Sequence, residues 1–295
     1  MEALSNALRD SWDIAISTSG SSGTPKEILI PATAIIFNAQ NSNKYLNAQP
    51  GMRWSLLLSP EHTAGLNVLV RSIELGTNPV NEGESADFTA IVPTQLFRAL
   101  NGDTKLLKHL QGCKAVLVGG AAIDDSLLAL AKAQGISCVT TYGMTETSGG
   151  CVYNGEPLPG VEIKIEETIQ IKGPMLARVA TQDGFFVTQD LGFIEDGKLF
   201  VTGRADDVII SGGKNISLSE VERLLGRDFA AFGSADPEWG TALNIATNSQ
   251  LTDTEIQSKL SEYFSIKART IHRIATIPRT VLDKVDRASL GKLLP

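Results

Sequence analysis

The stretch "STSGSSGTPKE" at residues 17–27 lies between two apolar runs and ends in a proline, a lysine and a glutamate. A glycine-rich loop leaves backbone N–H groups free to face an anion, and serine and threonine hydroxyls add further donors. Lys26 adds a positive charge at the end of the loop. Together these features predict a binding site for a polyphosphate.

The spacing distinguishes this loop from a Walker P-loop, which has four residues between its glycines and continues as Gly-Lys-Ser/Thr at the start of a helix. Here only two residues separate Gly20 from Gly23, Pro25 precedes Lys26, and the apolar run "EILI" at 27–30 predicts a strand. The stretch is therefore predicted to be a phosphate loop of another kind. The alternative is a polar hairpin turn that binds nothing, since Ser/Gly loops are common.

Outward from this loop, the first 200 residues alternate short apolar strands with helical patterns. Strands such as "DIAIS" (13–17) and "FTAIV" (88–92) alternate with helical patterns such as "TAGLNVLVRSIEL" (63–75). This alternation predicts an α/β domain with a largely parallel sheet. From about Glu162, short strands with glycine turns predict a small barrel-like region. We predict a large N-terminal domain at 1–202 and a small α+β domain at 203–295.

Composition excludes several classes of function. The 295 residues are 42% hydrophobic and 20% charged, as in an ordinary globular protein. A net charge of −7 without a basic patch argues against nucleic acid as a partner. No apolar run approaches the roughly 20 residues that span a bilayer, so we expect no membrane insertion. Three cysteines without metal-like spacing, and a start unlike a signal peptide, predict a cytoplasmic protein.

Three further stretches carry residue types suited to nucleotide chemistry. They are "TYGMTETSGG" (141–150), "VTGRADDVIISGGKNISLSEVE" (201–222) and "PRTVLDKVDRASLGKLL" (278–294). The first follows a predicted strand, and a hydroxyl and a carboxylate at the carboxyl end of a strand can hold phosphate and Mg²⁺.

In this order, the four stretches resemble the signatures of the adenylate-forming superfamily, which comprises acyl- and aryl-CoA synthetases, adenylation domains and luciferases. The resemblance spans residues 17–287. It implies an ATP-dependent ligase that uses Mg²⁺ and coenzyme A, with a mobile C-terminal domain. Family members usually have a longer segment before the phosphate loop. We therefore expect an N-terminally shortened large domain whose acyl pocket is thin or is completed by a second subunit in a homodimer.

The resemblance also implies roles for individual residues. The β- and γ-phosphates of ATP would be held by Thr18, Ser19, Ser21, Ser22, Thr24 and Lys26. The adenine would lie beside Gly119, Gly120 and Ala121, with Tyr142 stacked on it. The ribose would be bound by Asp190 and Arg204. Catalysis would use Thr145 at the α-phosphate, Glu146 as the Mg²⁺ ligand and Lys284 in the transition state. The family usually has glycine before this lysine, where this chain has Asp283. Lys292, which does follow a glycine, is the alternative.

Two further roles concern the second step of the reaction. Asp206, by its place in "GRADD", is implied to be the hinge. Gly212 and Gly213 are implied to lie beside the CoA tunnel.

The substrate is indicated by "SPEHTAGLNVLVRSIELG" at 59–76. It resembles the acyl-gating segment of o-succinylbenzoate–CoA ligases of menaquinone biosynthesis, with His62 as the gating histidine. Arg71, about two helical turns beyond Thr63, would hold the substrate's second carboxylate. The alternative for Arg71 is an exposed helix arginine. The alternatives for the chain are another small aryl- or acyl-CoA ligase and a nucleotide-binding pseudoenzyme.

Overall fold

A computed structural model of the protein describes residues 1–19, 25–279 and 285–293. The chain divides into two compact units, each of which is described by itself. The first consists of Met1–Thr188 and Ile194–Phe200, and the second of Gln189–Phe193 and Val201–Pro295. The domain boundary after residue 202 stays a prediction.

The described part of the first unit contains helices and short strands in alternation. Its helices are α1 (Glu2–Arg9), α2 (Ala32–Tyr45), α3 (Thr63–Glu74), α4 (Pro93–Leu100), α5 (Thr104–Gly112) and α6 (Asp125–Ala133). Its strands are β1 (Asp13–Ser19), β2 (Pro25–Pro31), β3 (Trp54–Ser55), β4 (Phe88–Ile91), β5 (Ala115–Val118), β6 (Cys138–Met144), β7 (Gly149–Tyr153), β8 (Glu156–Pro157), β9 (Glu162–Ile165), β10 (Ile169–Lys172) and β11 (Phe186–Val187). The next two strands, β12 (Asp190–Glu195) and β13 (Lys198–Arg204), contain residues of both units.

The central sheet has the order β3-β4-β5-β6-β7-β8. Strands β3 to β6 are parallel, whereas β7 and β8 join antiparallel. All residues of β4 and of β5 are buried, as expected for parallel strands covered on both faces. The predicted α/β class and largely parallel sheet are confirmed.

Strands β1 and β2 lie outside this sheet and pair with each other as an antiparallel hairpin. Ser19 pairs with Pro25 at the last described position of the register. The loop residues 20–24, among them the predicted phosphate ligands Ser21, Ser22 and Thr24, lie outside the described residues. Strands β9 to β11 form a small sheet of their own, and its closure into a barrel-like unit stays a prediction.

Helices α2 and α3 share two hydrophobic cores with the hairpin and the sheet. One core joins Ile30 and Ile35 to Val70, and the other joins Trp54 and Phe88 to helix α3. Helix α3 also passes very close to the preceding chain. A Cβ atom at Gly65 would lie 2.2 Å from the Ser59 carbonyl oxygen, so only glycine fits at this position.

The opposite face of the sheet is covered by α4, α5 and α6, which enclose a third core. Two of the protein's cysteines, Cys113 and Cys138, belong to this region, and Cys151 is buried in β7. All three are free thiols. Burial raises the pKa of Cys113 and of Cys138 to about 11 and that of Cys151 to about 12.

Within this third layer, His109 on α5 is a buried histidine held in one tautomer. Its Nδ1 accepts a hydrogen bond from the Gly83 N–H at 3.1 Å, so the proton lies on Nε2, 2.8 Å from Ser55 Oγ. Burial lowers the pKa of His109 below its ordinary value. His109 therefore binds a proton more readily in the unfolded chain than in the folded protein. We expect the free energy of unfolding to fall as the pH drops below about 6.5.

Denaturant unfolding across this pH range measures the effect, and His109→Gln is the matched variant because its side chain does not titrate. An identical pH dependence in the variant would assign the effect to other groups.

The described part of the second unit surrounds a mixed sheet of order β15-β14-β17-β16, with β18 paired in parallel to β17. Its strands are β14 (Val208–Ser211), β15 (Lys214–Ser217), β16 (Phe229–Asp236), β17 (Gly240–Thr247) and β18 (Thr270–Arg273). Its helices are α7 (Leu218–Leu225), α8 (Asp253–Phe264) and α9 (Arg287–Leu293). Helices α7 and α8 bury Val221, Ile256 and Leu260 against the sheet. No helix in the described part of the chain is long and apolar enough to cross a bilayer.

Candidate nucleotide- and carboxylate-binding site

Strands β5 and β6 run parallel and end at one edge of the central sheet, where two groups of predicted ligands follow them. Gly119, Gly120 and Ala121 follow β5, and Thr145 and Glu146 follow β6. A Cβ atom at Gly119 would lie 2.2 Å from a side-chain oxygen of β6, and Gly120 has a φ of +83°. The carboxyl edge of a parallel sheet is the usual ligand-binding edge of this architecture.

Thr145 and Glu146 stand in a single 3-10 turn, Thr145–Thr147, where the sequence predicted an open loop. Both are partly exposed. The turn is closed by Thr147, whose Oγ1 accepts a hydrogen bond from the Met144 N–H at 2.9 Å. Ser148 follows in a left-handed conformation, with φ of 53°, and its hydroxyl donates to the Met175 carbonyl at 2.7 Å. The two candidate ligands are thus carried on a well-braced backbone.

Side chains of two helices form hydrogen bonds with this turn and the residues that follow it. Sequence reasoning missed these side chains. On α2, Asn38 Nδ2 donates to the Gly150 carbonyl at 2.9 Å. On α3, Asn67 Nδ2 donates to the Ser148 carbonyl at 2.8 Å. Thr63 Oγ1, at the start of α3, lies 2.8 Å from Thr145 Oγ1. The sequence does contain one signal for α3: polar residues recur at positions 63, 67 and 71 of an otherwise apolar helix face.

Arg71 is the third member of this polar series and is only 4% exposed, so the alternative of an exposed helix arginine is wrong. Its Nη2 donates to the Tyr153 hydroxyl at 3.1 Å, and its guanidinium lies 4.9 Å from the centre of the Trp54 ring. Its Nε has no hydrogen-bond partner among the described residues. Burial lowers the pKa of Arg71. No carboxylate among the described residues forms an ion pair with this guanidinium.

A buried cation without an acid partner is costly, which makes this guanidinium suited to an anionic ligand.

His62 and Tyr142 occupy less constrained positions. His62 directly precedes Thr63, the first residue of α3, and its side chain is partly exposed. Tyr142 lies inside β6, not in a loop, and its partly buried ring packs against a core that contains Val152 and Ile169. Core packing therefore accounts for part of the Tyr142 side chain, and adenine stacking stays a prediction.

At the hairpin, Lys26 is exposed and pairs in register with Thr18. The roles of Thr18, Ser19 and Lys26 at the phosphates stay predictions.

In the second unit, the predicted ribose ligands Asp190 and Arg204 contact each other. Arg204 Nη1 lies 3.1 Å from Asp190 Oδ1. The same guanidinium binds the predicted hinge residue: Arg204 Nε and Nη2 each lie 2.8 Å from an oxygen of Asp206. These hydrogen bonds, which Arg204 donates to Asp206, are the largest cause of a raised pKa for Arg204. The two residues predicted to bind the ribose, Asp190 and Arg204, are therefore in contact. The hinge candidate Asp206 forms an ion pair with Arg204.

Gly212 and Gly213 form the tight turn between β14 and β15, with φ values of +55° and +79°. Both are exposed, and a Cβ atom at either would meet nothing within 4 Å. The turn conformation, not crowding, therefore favours glycine here. Their place beside a CoA tunnel stays a prediction.

Lys284 lies outside the described residues, as do its four predecessors, but the chain on both sides is described. Arg279 and Val285 form an antiparallel bridge, and the Asp286 N–H donates to the Pro278 carbonyl at 2.9 Å. The two ends of the segment are therefore held next to each other. The alternative, Lys292, is an exposed residue of α9.

Arg287 anchors the chain just beyond this segment. Its Nη2 lies 2.9 Å from Asp207 Oδ1 and 3.0 Å from Glu222 Oε1. Burial raises the pKa of Glu222 to about 7 in spite of this guanidinium. The sequence had assigned no role to any of these three side chains.

Among the described residues, no group of three or more His, Cys, Asp or Glu side chains could hold a metal ion by itself. A single carboxylate such as Glu146 fits a Mg²⁺ ion whose other ligands are phosphate oxygens and water.

Comparison with known proteins assigns the chain to a family. The family model described as AMP-binding enzyme matches residues 9–171, which include the turn that carries Thr145 and Glu146. The chain belongs to the AMP-binding enzyme family. The resemblance drawn from the four sequence stretches is thereby confirmed.

Comparison with individual proteins gives more specific similarities. The chain is 35% identical to a probable 2-succinylbenzoate–CoA ligase of Mycobacterium tuberculosis, over 98% of this chain and 88% of that protein. Its fold is similar to that of o-succinylbenzoate CoA synthetase from Bacillus subtilis in complex with the acyl-adenylate intermediate, with a TM-score of 0.82 and 25% identity. That match covers 94% of this chain and 68% of the Bacillus subtilis chain. The same enzyme in complex with ATP and magnesium ion gives a TM-score of 0.83 at 24% identity, covering 94% and 69%.

Within the AMP-binding family match lie the hairpin, α3 and the turn at the end of β6. Asp190, Arg204, Asp206 and the lysine segment lie beyond it.

Proposed function

We propose that this protein is an ATP-dependent 2-succinylbenzoate–CoA ligase of menaquinone biosynthesis, which works through an acyl-adenylate. The observation that carries the proposal is the 35% identity to a probable 2-succinylbenzoate–CoA ligase, which extends over nearly the whole of both chains. The buried guanidinium of Arg71, which forms no ion pair with a carboxylate among the described residues, supports it, because the substrate has two carboxylates and only one of them reacts.

In the first step, a carboxylate oxygen of the substrate attacks the α-phosphorus of ATP, and the bond to pyrophosphate breaks. Thr145 donates its hydroxyl hydrogen to an α-phosphate oxygen. Glu146 holds Mg²⁺, which neutralises charge on the phosphates. The phosphate-loop residues and Lys26 hold the β- and γ-phosphates, and Lys284 places a fixed positive charge between the attacking carboxylate and the α-phosphate.

In the second step, the sulfur of coenzyme A attacks the acyl carbon, the thiol proton leaves, and the bond to AMP breaks. Gly212 and Gly213 line the path of the pantetheine arm. The C-terminal domain changes its orientation about Asp206 between the two steps, so that Lys284 acts in the first step only. Gly119, Gly120, Ala121 and Tyr142 surround the adenine, and Asp190 and Arg204 bind the ribose hydroxyls in the nucleotide-bound states.

The substrate's unreacted carboxylate binds to Arg71. Its charge would otherwise remain unpaired in a partly dry pocket, which is costly. The guanidinium offers a charge-assisted hydrogen bond from Nε, the atom that lacks a partner among the described residues. His62, next to the first turn of α3, gates the path from the acyl pocket.

Carboxylate-dependent exchange of pyrophosphate with ATP tests the proposal directly. Wild-type protein should exchange faster with 2-succinylbenzoate than with benzoate or a fatty acid, and should form the thioester when coenzyme A is added. Preference for another carboxylate would instead support a different small aryl- or acyl-CoA ligase. Absence of exchange with every carboxylate would support a nucleotide-binding pseudoenzyme.

The remaining finer features belong to the same proposal. We place the ligase in the cytoplasm, because its three cysteines are free thiols. A homodimer that completes the acyl pocket, the barrel-like closure of strands β9 to β11 and the domain boundary after residue 202 are further parts of the proposal. The molar mass in solution tests the homodimer.

The hinge assignment predicts a separation of the two steps. Asp206→Pro fixes φ near −65° and restricts the preceding residue, which blocks the backbone change that a hinge must make. We expect acyl-adenylate to form and accumulate while thioester production collapses, as measured by rapid-quench analysis of both products.

Asp206→Ala is the matched control, since it also removes the carboxylate that binds Arg204 but leaves the backbone free. Equal loss of both steps in the proline variant would place the hinge elsewhere or indicate misfolding.

A further inference from the structure

The Thr145 hydroxyl has a partner of its own in the first unit. Thr63 Oγ1, in the first turn of α3, lies 2.8 Å from Thr145 Oγ1. Thr63 is only 7% exposed, whereas Thr145 is partly exposed at the sheet edge. The buried member of the pair therefore holds the member that faces the site.

A hydroxyl group has one hydrogen to donate and two lone pairs to accept with. If Thr145 gives its hydrogen to an α-phosphate oxygen, the contact with Thr63 requires that Thr63 be the donor and Thr145 the acceptor. The hydrogen of Thr63 then fixes the rotation of the Thr145 hydroxyl, so that its own hydrogen is directed at the phosphate.

Helix α3 is itself locked against the turn, which makes this contact rigid. Asn67 is 1% exposed and uses both amide hydrogens, one on the Thr63 carbonyl at 2.9 Å and one on the Ser148 carbonyl at 2.8 Å. A Cβ atom at Gly149 would lie 2.6 Å from Asn67 Nδ2, and Gly149 has a φ of +110°. The helix and the turn therefore approach as closely as glycine permits.

We propose that Thr63 is a positioning residue for adenylation, which orients the Thr145 hydroxyl toward the α-phosphate of ATP. The proposal rests on the proposed function, in that it assigns Thr145 to the α-phosphate. It adds that the helix carrying Arg71 also sets the geometry of the phosphate contact. Thr63 and Arg71 lie on the same face of α3, separated by about 12 Å along the helix axis.

The test compares Thr63→Val, which keeps the shape and loses the hydroxyl, with Thr63→Ser, which keeps the hydroxyl. We expect Thr63→Val to lower kcat for pyrophosphate exchange about three- to tenfold, the range of one net hydrogen bond. Thr63→Ser should restore exchange to near the wild-type rate. Conversion of preformed acyl-adenylate to thioester should be unchanged in both variants.

A double-mutant cycle separates positioning from a general structural effect. In a Thr145→Val background there is no hydroxyl to orient, so Thr63→Val should cause no further loss of exchange. Additive losses would overturn the proposal, as would equal losses in Thr63→Val and Thr63→Ser or a matching loss in the second step.

The thermal midpoints of the variants show that the comparison is made between folded proteins. If a variant does not fold, the Thr63→Ser rates alone decide, because a serine that fails to support exchange contradicts the role of the hydroxyl.

Failure of this proposal can be told apart from failure of the proposed function. A wild-type enzyme that exchanges with a different carboxylate refutes the substrate and leaves the Thr63 cycle to be run with that carboxylate. A wild type that exchanges with none overturns both.

Discussion

Lys284→Ala should abolish carboxylate-dependent pyrophosphate exchange and leave the conversion of preformed acyl-adenylate by coenzyme A nearly intact. In the proposed mechanism, the ammonium group stabilises charge that develops on the α-phosphate and the attacking carboxylate in the first step only. Removing one preorganised donor of this kind typically slows a reaction about 100- to 1,000-fold. Isotope exchange measures the first step, and thioester formation from synthetic acyl-adenylate measures the second.

Lys292→Ala is the matched control, since it removes the same charge from an exposed position on α9. If Lys292→Ala loses exchange and Lys284→Ala keeps it, the catalytic lysine has been assigned to the wrong position.

Loss of the Arg71 charge should raise KM for 2-succinylbenzoate about ten- to a hundredfold. A hydrogen bond to a charged group contributes about 1.5–3 kcal/mol, and about 1.4 kcal/mol corresponds to a factor of ten. KM for ATP should stay nearly unchanged, because Arg71 lies about two helical turns from Thr63 and outside every nucleotide signature. Benzoate, with a single carboxylate, should be insensitive to the change.

The structure also determines which substitutions are informative. Arg71 packs on Trp54 and binds Tyr153, so Arg71→Ala both removes the charge and opens a cavity. Arg71→Met retains the length and apolar contact without the charge, and Tyr153→Phe removes the hydrogen-bond partner while retaining Arg71. Arg71→Met should reproduce the KM effect of Arg71→Ala with a smaller loss of thermal stability. Unaltered kinetics with 2-succinylbenzoate in both arginine variants would remove Arg71 from the substrate site.

Much of the fold could be predicted from the sequence, because its elements have strong local patterns. The buried strand β4 and the helix α3 were predicted to within one residue of their observed ends. Of the largely apolar run at 53–59, only Trp54–Ser55 belongs to the sheet. Helix α5 has no counterpart among the predicted elements.

The pairing of strands was harder to predict than their existence. An apolar run does not reveal its neighbour. The sequence offered a hairpin of β1 and β2 only as an alternative, and the antiparallel β7 and β8 at the sheet edge came only from the structure.

For the candidate site, the sequence located the loops but not their supports. Thr145 and Glu146 could be proposed from the sequence because they stand in a short motif whose order in the chain is recognisable. Thr63, Asn67 and Asn38 could not, since their contacts with the turn depend on how α2 and α3 pack. The same limitation applies to Arg287, whose binding to Asp207 joins residues far apart in sequence.

The burial of Cys113 and Cys151 and the partial burial of Cys138 have a consequence for reactivity. A thiol reacts with electrophiles and disulfides as the thiolate. With pKa values raised to about 11 or 12, only about one in a thousand of these thiols, or fewer, is ionised at pH 8. The sulfur of coenzyme A therefore reacts far faster with an aromatic disulfide reagent than any sulfur of the folded enzyme. Consumption of coenzyme A can be followed by colour in real time, with the protein itself contributing almost no background.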